Sequence, residues 1–206
     1  MARGFFFFWG NIMGDILKSA RAYEKLLDVE YQFILGRKNK IITLAVSFDA
    51  MNFFHLAGFQ YLADMPDILR SRRDIIFNKL LNGIITPKQI SLSKFYNQIK
   101  DRIEYLEFLE EVFDSNKTIF KYNSQTRAFS MIESEFLMKT EVNSRNVFTF
   151  LSEDKSNGKY FCRSFFPQTD RDYSLGQTNW ALLYKKKIHK STGKEFVLCD
   201  RLNKKR

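Results

Sequence analysis

Over roughly the first 115 residues, apolar positions recur mostly at helical spacing; after that they gather in short β-favouring runs. Residues 15–35 place Ile16, Ala20, Tyr23, Leu26, Leu27, Phe33 and Ile34 between Lys, Arg and Glu, which predicts a helix. Asp15 is its candidate N-cap and Gly36 its stop. Residues 39–49 change texture, with Ile41, Ile42, Leu44, Val46 and Phe48 reading as a strand buried on at least one face. A helix follows over 51–62, with Asp49 or Asn52 near its cap and His55 in its first turns. A basic helical stretch covers 66–81 and stops at Asn82-Gly83, and Thr86-Pro87 opens a further turn. The longest helical pattern is 93–114, where Tyr96, Ile99, Ile103, Leu106, Leu109 and Phe113 recur every three or four residues.

Beyond Ser115-Asn116 the predicted strands are 117–122, 128–132, 136–140, 147–151, 159–166, 178–187 and 196–202, several of them separated by polar turns. The stretch 159–187 reads as a β-hairpin. Period-two geometry puts Phe161, Arg163 and Phe165 on one face of its first strand, with Tyr160, Cys162, Ser164 and Phe166 on the other. In its second strand Thr178, Trp180, Leu182 and Tyr184 share a face. Helices first and an antiparallel meander after define an α+β fold. N-terminal helices over about 13–115 are expected to pack on a C-terminal antiparallel β-sheet over about 116–203, as one domain spanning 13–206. Residues 1–12 carry a short Phe-rich run unlike a secretory leader, and read as a flexible arm or as a mis-assigned start ahead of Met13.

Composition narrows the class. With 45% hydrophobic residues and 22 Phe the chain can bury a core, and no apolar run is long enough to cross a membrane as a helix. Two distant cysteines, Cys162 and Cys199, point to a reduced, cytoplasmic setting. The net charge of +10 favours an acidic partner, above all nucleic acid, and residues 185–206 supply +7 of it. A basic run is equally a solvated face that keeps a protein in solution.

Several chemistries lack their signatures. There is no GxGxxG, GxxxxGK or GxSxG, and no CxxC, HExxH or Cys/His cluster, so neither a metal nor a cofactor is expected. The remaining groups suffice for RNA cleavage without a metal. That reaction needs a base for the 2′-hydroxyl, an acid for the leaving oxygen, and cations or donors for charge developing on phosphorus. His55 can transfer protons near neutrality, and Arg163 can clamp a phosphate bidentately. Thr178 and Ser164 can donate to phosphate oxygens, Trp180 and Tyr184 can stack on bases, and Lys185 opens the basic tail that would attract the substrate. Each has a plainer reading beside it: a boundary histidine, a snorkelling arginine, cross-strand aromatic packing, a core thiol at Cys162.

Five segments together resemble a known family: Tyr23–Leu27 through Gly36-Arg37-Lys38; Asn52-Phe53-Phe54-His55-Leu56-Ala57-Gly58; Lys94–Asn97 through Asp101–Glu104; Phe161–Phe166; and Gln177-Thr178-Asn179-Trp180. They look like the phage-associated barnase-EndoU-colicin-RelE-like (BECR) nucleases, fourth family, over about 13–187. The resemblance implies helices on an antiparallel sheet and a metal-independent ribonuclease or toxin of phages and mobile elements. It also implies His55, Arg163 and Thr178 as catalytic residues, with the ribosome or an antitoxin protein as conceivable partners. The chain departs from barnase in having no glutamate evidently paired with a catalytic histidine. A non-catalytic nucleic-acid-binding or protein-inhibitor module on the same fold is the competing expectation.

Overall fold

The computed structural model describes residues 15–126 and 130–203. The arm expected over 1–12 lies outside these, as do residues 128 and 129 of the strand expected over 128–132; residues 130–132 form no strand. Helix α1 (Asp15–Leu26) buries Ile16, Ala20, Tyr23 and Leu26, the stripe its spacing predicts. It ends nine residues earlier than expected. Val29–Arg37 instead forms strand β1, because Val29, Tyr31, Phe33 and Leu35 alternate with Glu30, Gln32 and Ile34. A period of two over seven residues outweighs the helical propensity of the run before it.

β1 turns into β2 (Lys40–Ser47), which leads to α2 (Ala50–Leu56), where Asp49 caps the helix by accepting from Met51 N at 2.8 Å. The helical stretches that follow are shorter than their periodicity suggests. The 66–81 pattern breaks at Ser71-Arg72 into α3 (Pro66–Arg70) and α4 (Arg73–Leu81). Thr86 and Gln89 make a reciprocal capping box at the start of α5 (Pro87–Ser91). The long 93–114 pattern divides into a 3₁₀ turn at Tyr96–Gln98, α6 (Lys100–Leu106) and α7 (Leu109–Ser115). Gly58 has φ +83°, and a Cβ there would lie 2.9 Å from Ile99 and 3.0 Å from the Arg102 stem, so glycine lets α6 approach the end of α2.

The strands β3 (Thr118–Lys121), β4 (Phe136–Val142), β5 (Arg145–Asp154), β6 (Lys159–Pro167), β7 (Thr178–His189) and β8 (Lys194–Asp200) complete the sheet. Its order is β1-β2-β6-β5-β4-β3-β7-β8, and β1 also pairs with β7 from Val29↔His189 to Gly36↔Ala181. This second pairing closes the first seven strands into a barrel around which β8 continues along the β7 edge. The protein is therefore a mixed α+β structure with a closed seven-stranded barrel, not an open C-terminal sheet. β1 and β2, from the N-terminal half, supply two of its staves, and β2 meets β6 in parallel at Val46↔Tyr160.

The expected 159–187 hairpin does not form. β6 pairs with β5 and β2, while β7 pairs with β3, β1 and β8, so β5, β4 and β3 stand between them. Two bulges also overturn the simple alternation. On β6 the register runs Phe150↔Ser164 and then Leu151↔Cys162, leaving Arg163 as the extra residue; Cys162 and Phe165 both enter the main core. On β7 the pairs Ile34↔Tyr184 and Leu35↔Leu182 leave Leu183 extra, so the inward sequence passes from Leu182 to Lys185 and Lys187 instead of Tyr184.

Those two inward lysines are the reverse of solvated tail residues. Lys185 Nζ donates to the carbonyls of Phe113, Asp114 and Asn116 at 2.7, 2.6 and 2.9 Å, satisfying the C-terminal end of α7. Burial pulls its pKa down to about 8. Lys187 Nζ reaches Glu110 at 2.6 Å and Asp114 at 3.0 Å, and Asp114 also accepts from the Tyr31 hydroxyl at 2.5 Å. Around this polar centre Tyr31, Phe33, Phe48 and Phe113 pack edge and face. Replacing Lys185 by Met strands three carbonyls and is expected to cost about 3 kcal/mol in urea-induced unfolding. The exposed Lys190→Met is expected to stay within about 0.5 kcal/mol of the parent.

Candidate functional site

His55 lies in the last turn of α2, half-buried, with its neighbour Phe54 edge-on at 5.6 Å. Its pKa is lowered, first by burial and then by the positive charges of Arg73 and Arg163. Gln60 pulls the other way from beside the imidazole, although its buried Oε1 completes no hydrogen bond of full geometry. The result is a histidine biased toward the neutral form near pH 7. A histidine that is neutral near pH 7 is available to accept a proton, and the charges of Arg73 and Arg163 attract an anion.

Arg163 reaches this setting because of the bulge. As the unpaired residue of β6 its side chain is released from the alternation that takes Cys162 and Phe165 inward, and it is exposed. It lines a cleft of about 730 Å³ together with Lys121, Glu133, Glu135, Glu153 and Lys155. Lys121 and the three glutamates escaped the sequence reading, since they come from β3, β5 and the segment before β4 and nothing local links them. The backbone N–H of Glu153 donates to Glu135 at 3.0 Å, which ties the acidic wall of the cleft to β5.

The other expected residues are spread around the barrel. Thr178 opens β7 opposite Lys121 of β3, so it adjoins a cation of the Arg163 cleft but is not Arg163's sheet neighbour. Ser164 pairs with Phe150 and is half-buried. Trp180 packs partly on the core and forms a wall of a smaller cleft with Lys121, Phe136 and Tyr160. Tyr184 sits between β1 and β8, opposite Ile34 and Asp200. Lys185 is the one whose placement conflicts with its expected role: its ammonium is enclosed and spent on three carbonyls, leaving no donor for a substrate. Burial pushes the Cys162 thiol well up, so it stays a protonated core group. Among the described residues no three His, Cys, Asp or Glu side chains gather as a metal centre would require, and no helix is long and apolar enough to cross a membrane.

The closed mixed α+β barrel thus carries a half-buried histidine that feels the charge of an exposed arginine. Residues 15–202 match the family described as phage-Barnase-EndoU-ColicinE5/D-RelE like nuclease4, and the chain belongs to that family. No curated protein and no solved structure matches it.

The electrostatic link between His55 and Arg163 has a direct readout. In an NMR titration the His55 ring is expected to protonate below its usual 6.5, and Arg163→Gln should move that midpoint upward. A midpoint unmoved by that substitution would place the two groups too far apart to act on one phosphate.

Proposed function

We propose that this protein is a metal-independent endoribonuclease, a nuclease toxin of a phage or mobile element, folded as one domain, that cleaves RNA by 2′-hydroxyl attack. The observation that carries the reading is a half-buried histidine whose pKa is lowered by burial and by the charges of Arg73 and Arg163, in a chain of a nuclease family. His55 takes the 2′-hydroxyl proton, and Arg163 binds the scissile phosphate and neutralises charge that develops on its oxygens. Lys121 adds a second cation in the cleft, and Thr178 beside it donates to phosphate oxygen. The leaving 5′-oxygen takes its proton from solvent, which reaches the cleft along the wall formed by Glu135 and Glu153. Trp180 and Tyr160 offer aromatic surface for a base on the Lys121 side.

Purified protein in EDTA is expected to convert RNA to fragments ending in 2′,3′-cyclic phosphate. His55→Ala and Arg163→Ala should each lower the rate by about 100-fold or more while circular dichroism stays unchanged. Because a base must be unprotonated and the His55 pKa is lowered, the rate should hold from neutrality to below pH 6.5 and then fall. Cleavage confined to translating ribosomes would identify a ribosome-dependent enzyme. Binding without cleavage in both settings would establish the non-catalytic module instead.

A further inference from the structure

A second cleft, of about 660 Å³, opens further along β6 and is lined by Tyr61, Asn97, Gln98, Arg102, Phe166 and Tyr173 among others. Arg102, from α6, donates through Nη1 to the Phe165 carbonyl at 3.0 Å. Its guanidinium carbon lies 4.8 Å from the Phe166 ring centre and 5.5 Å from that of Tyr61. The stem reaches this position past Gly58, where a Cβ would press on it at 3.0 Å. The nearest acid in sequence, Asp101, is taken by Arg145 at 3.1 Å, and among the described residues no carboxylate pairs with Arg102. A partly buried guanidinium lacking a counter-charge is costly unless an anion completes it. Arg102 lines the cleft, and its hydrogen bond to Phe165 uses one of the five N–H donors of the guanidinium.

We infer that this cleft is a nucleotide subsite in which Arg102 holds a backbone phosphate of single-stranded RNA and Tyr61 stacks on a base. Tyr61 is 41% exposed and lines the cleft, which gives a base aromatic surface beside the guanidinium. Exposed Asn97 and Gln98 on the rim present amides suited to base edges. The location joins the subsite to the proposed scissile phosphate. Phe166 follows Arg163 by three strand residues, about 10 Å, and Tyr61 directly follows Gln60, which stands beside His55. A strand of RNA crossing His55 and Arg163 thus continues along β6 onto Arg102. The inference rests on the proposed nuclease reading.

The test uses a 2′-O-methyl tetranucleotide, which cannot be cut because its 2′-oxygens are blocked. Fluorescence anisotropy over a range of salt gives its affinity and salt slope for the wild type, Arg102→Gln and Arg102→Lys. Arg102→Gln is expected to weaken binding about tenfold and lower the slope by about 0.7, the increment for one phosphate on a single strand. Arg102→Lys should retain the slope while losing part of the affinity. In the wild type, the Arg102 Nε–Hε resonance should shift as the probe is added, a readout that stands even where Arg102→Gln unfolds. Unchanged affinity and slope in a folded Arg102→Gln, or a resonance that stays still while the probe binds, overturns the subsite and leaves the nuclease reading intact. A wild type that neither binds the probe nor cuts RNA overturns both.

Discussion

The structure turns on two lysines that point into it. A lysine is among the most expensive side chains to bury, and Lys185 is tolerated because three carbonyls at the C-terminal end of α7 accept from its ammonium. Lys187, two residues on and facing the same way, meets Glu110 and Asp114 from the same helix, and Tyr31 of β1 completes the set through Asp114. One short helix is thereby joined to both strands that close the barrel. Removing Lys185 strands three carbonyls and removing Asp114 takes a partner from both Lys187 and Tyr31, which makes this polar centre specific for one arrangement of α7, β1 and β7.

Closure has consequences for the candidate site. Once β1 pairs with β7, β6 and β7 are held on different parts of the ring, and no local hairpin can bring Arg163 to Thr178. What gathers at Arg163 is the wall of β3, β5 and the segment before β4 that brings Lys121 and the glutamates, while His55, in the last turn of α2, is linked to it through the charge that lowers its pKa. The bulge at Arg163 matters as much as the neighbours do: one extra residue turns a cation outward between two core positions. The same strand, three residues on, supports the Arg102 cleft, so β6 runs beneath both groups of anion-binding side chains.

Legibility followed the range of the interaction. The cap at Asp49, one of the two positions offered, the Thr86-Pro87 helix start and the Ile16–Leu26 stripe are each completed within a few residues and each is found, the structure adding Gln89 to the Thr86 cap. The helix expected over 93–114 failed because apolar spacing continues across Glu107-Phe108 while the backbone breaks there. Val29–Leu35 was misread for a different reason: its alternation is clear, but it follows a helix with no Gly or Pro to mark the change. His55 and Arg163 were visible by chemistry. Lys121, Glu135, Glu153 and Arg102 were not, because each is an ordinary charged residue until distant strands give it neighbours.

By itself, then, the chain's composition and patterning determined an α+β protein of basic charge, with caps, turns and strand segments largely in place and a histidine and an arginine suited to phosphate chemistry. The tertiary structure decided which strands meet, that the sheet closes, that Lys185 serves a helix end and not a ligand, and that Arg163 points outward. The division has a physical cause. Periodicity and capping are set by neighbours within a turn or two, whereas strand pairing, bulges and buried charges depend on partners up to 160 residues apart, as with β1 and β7.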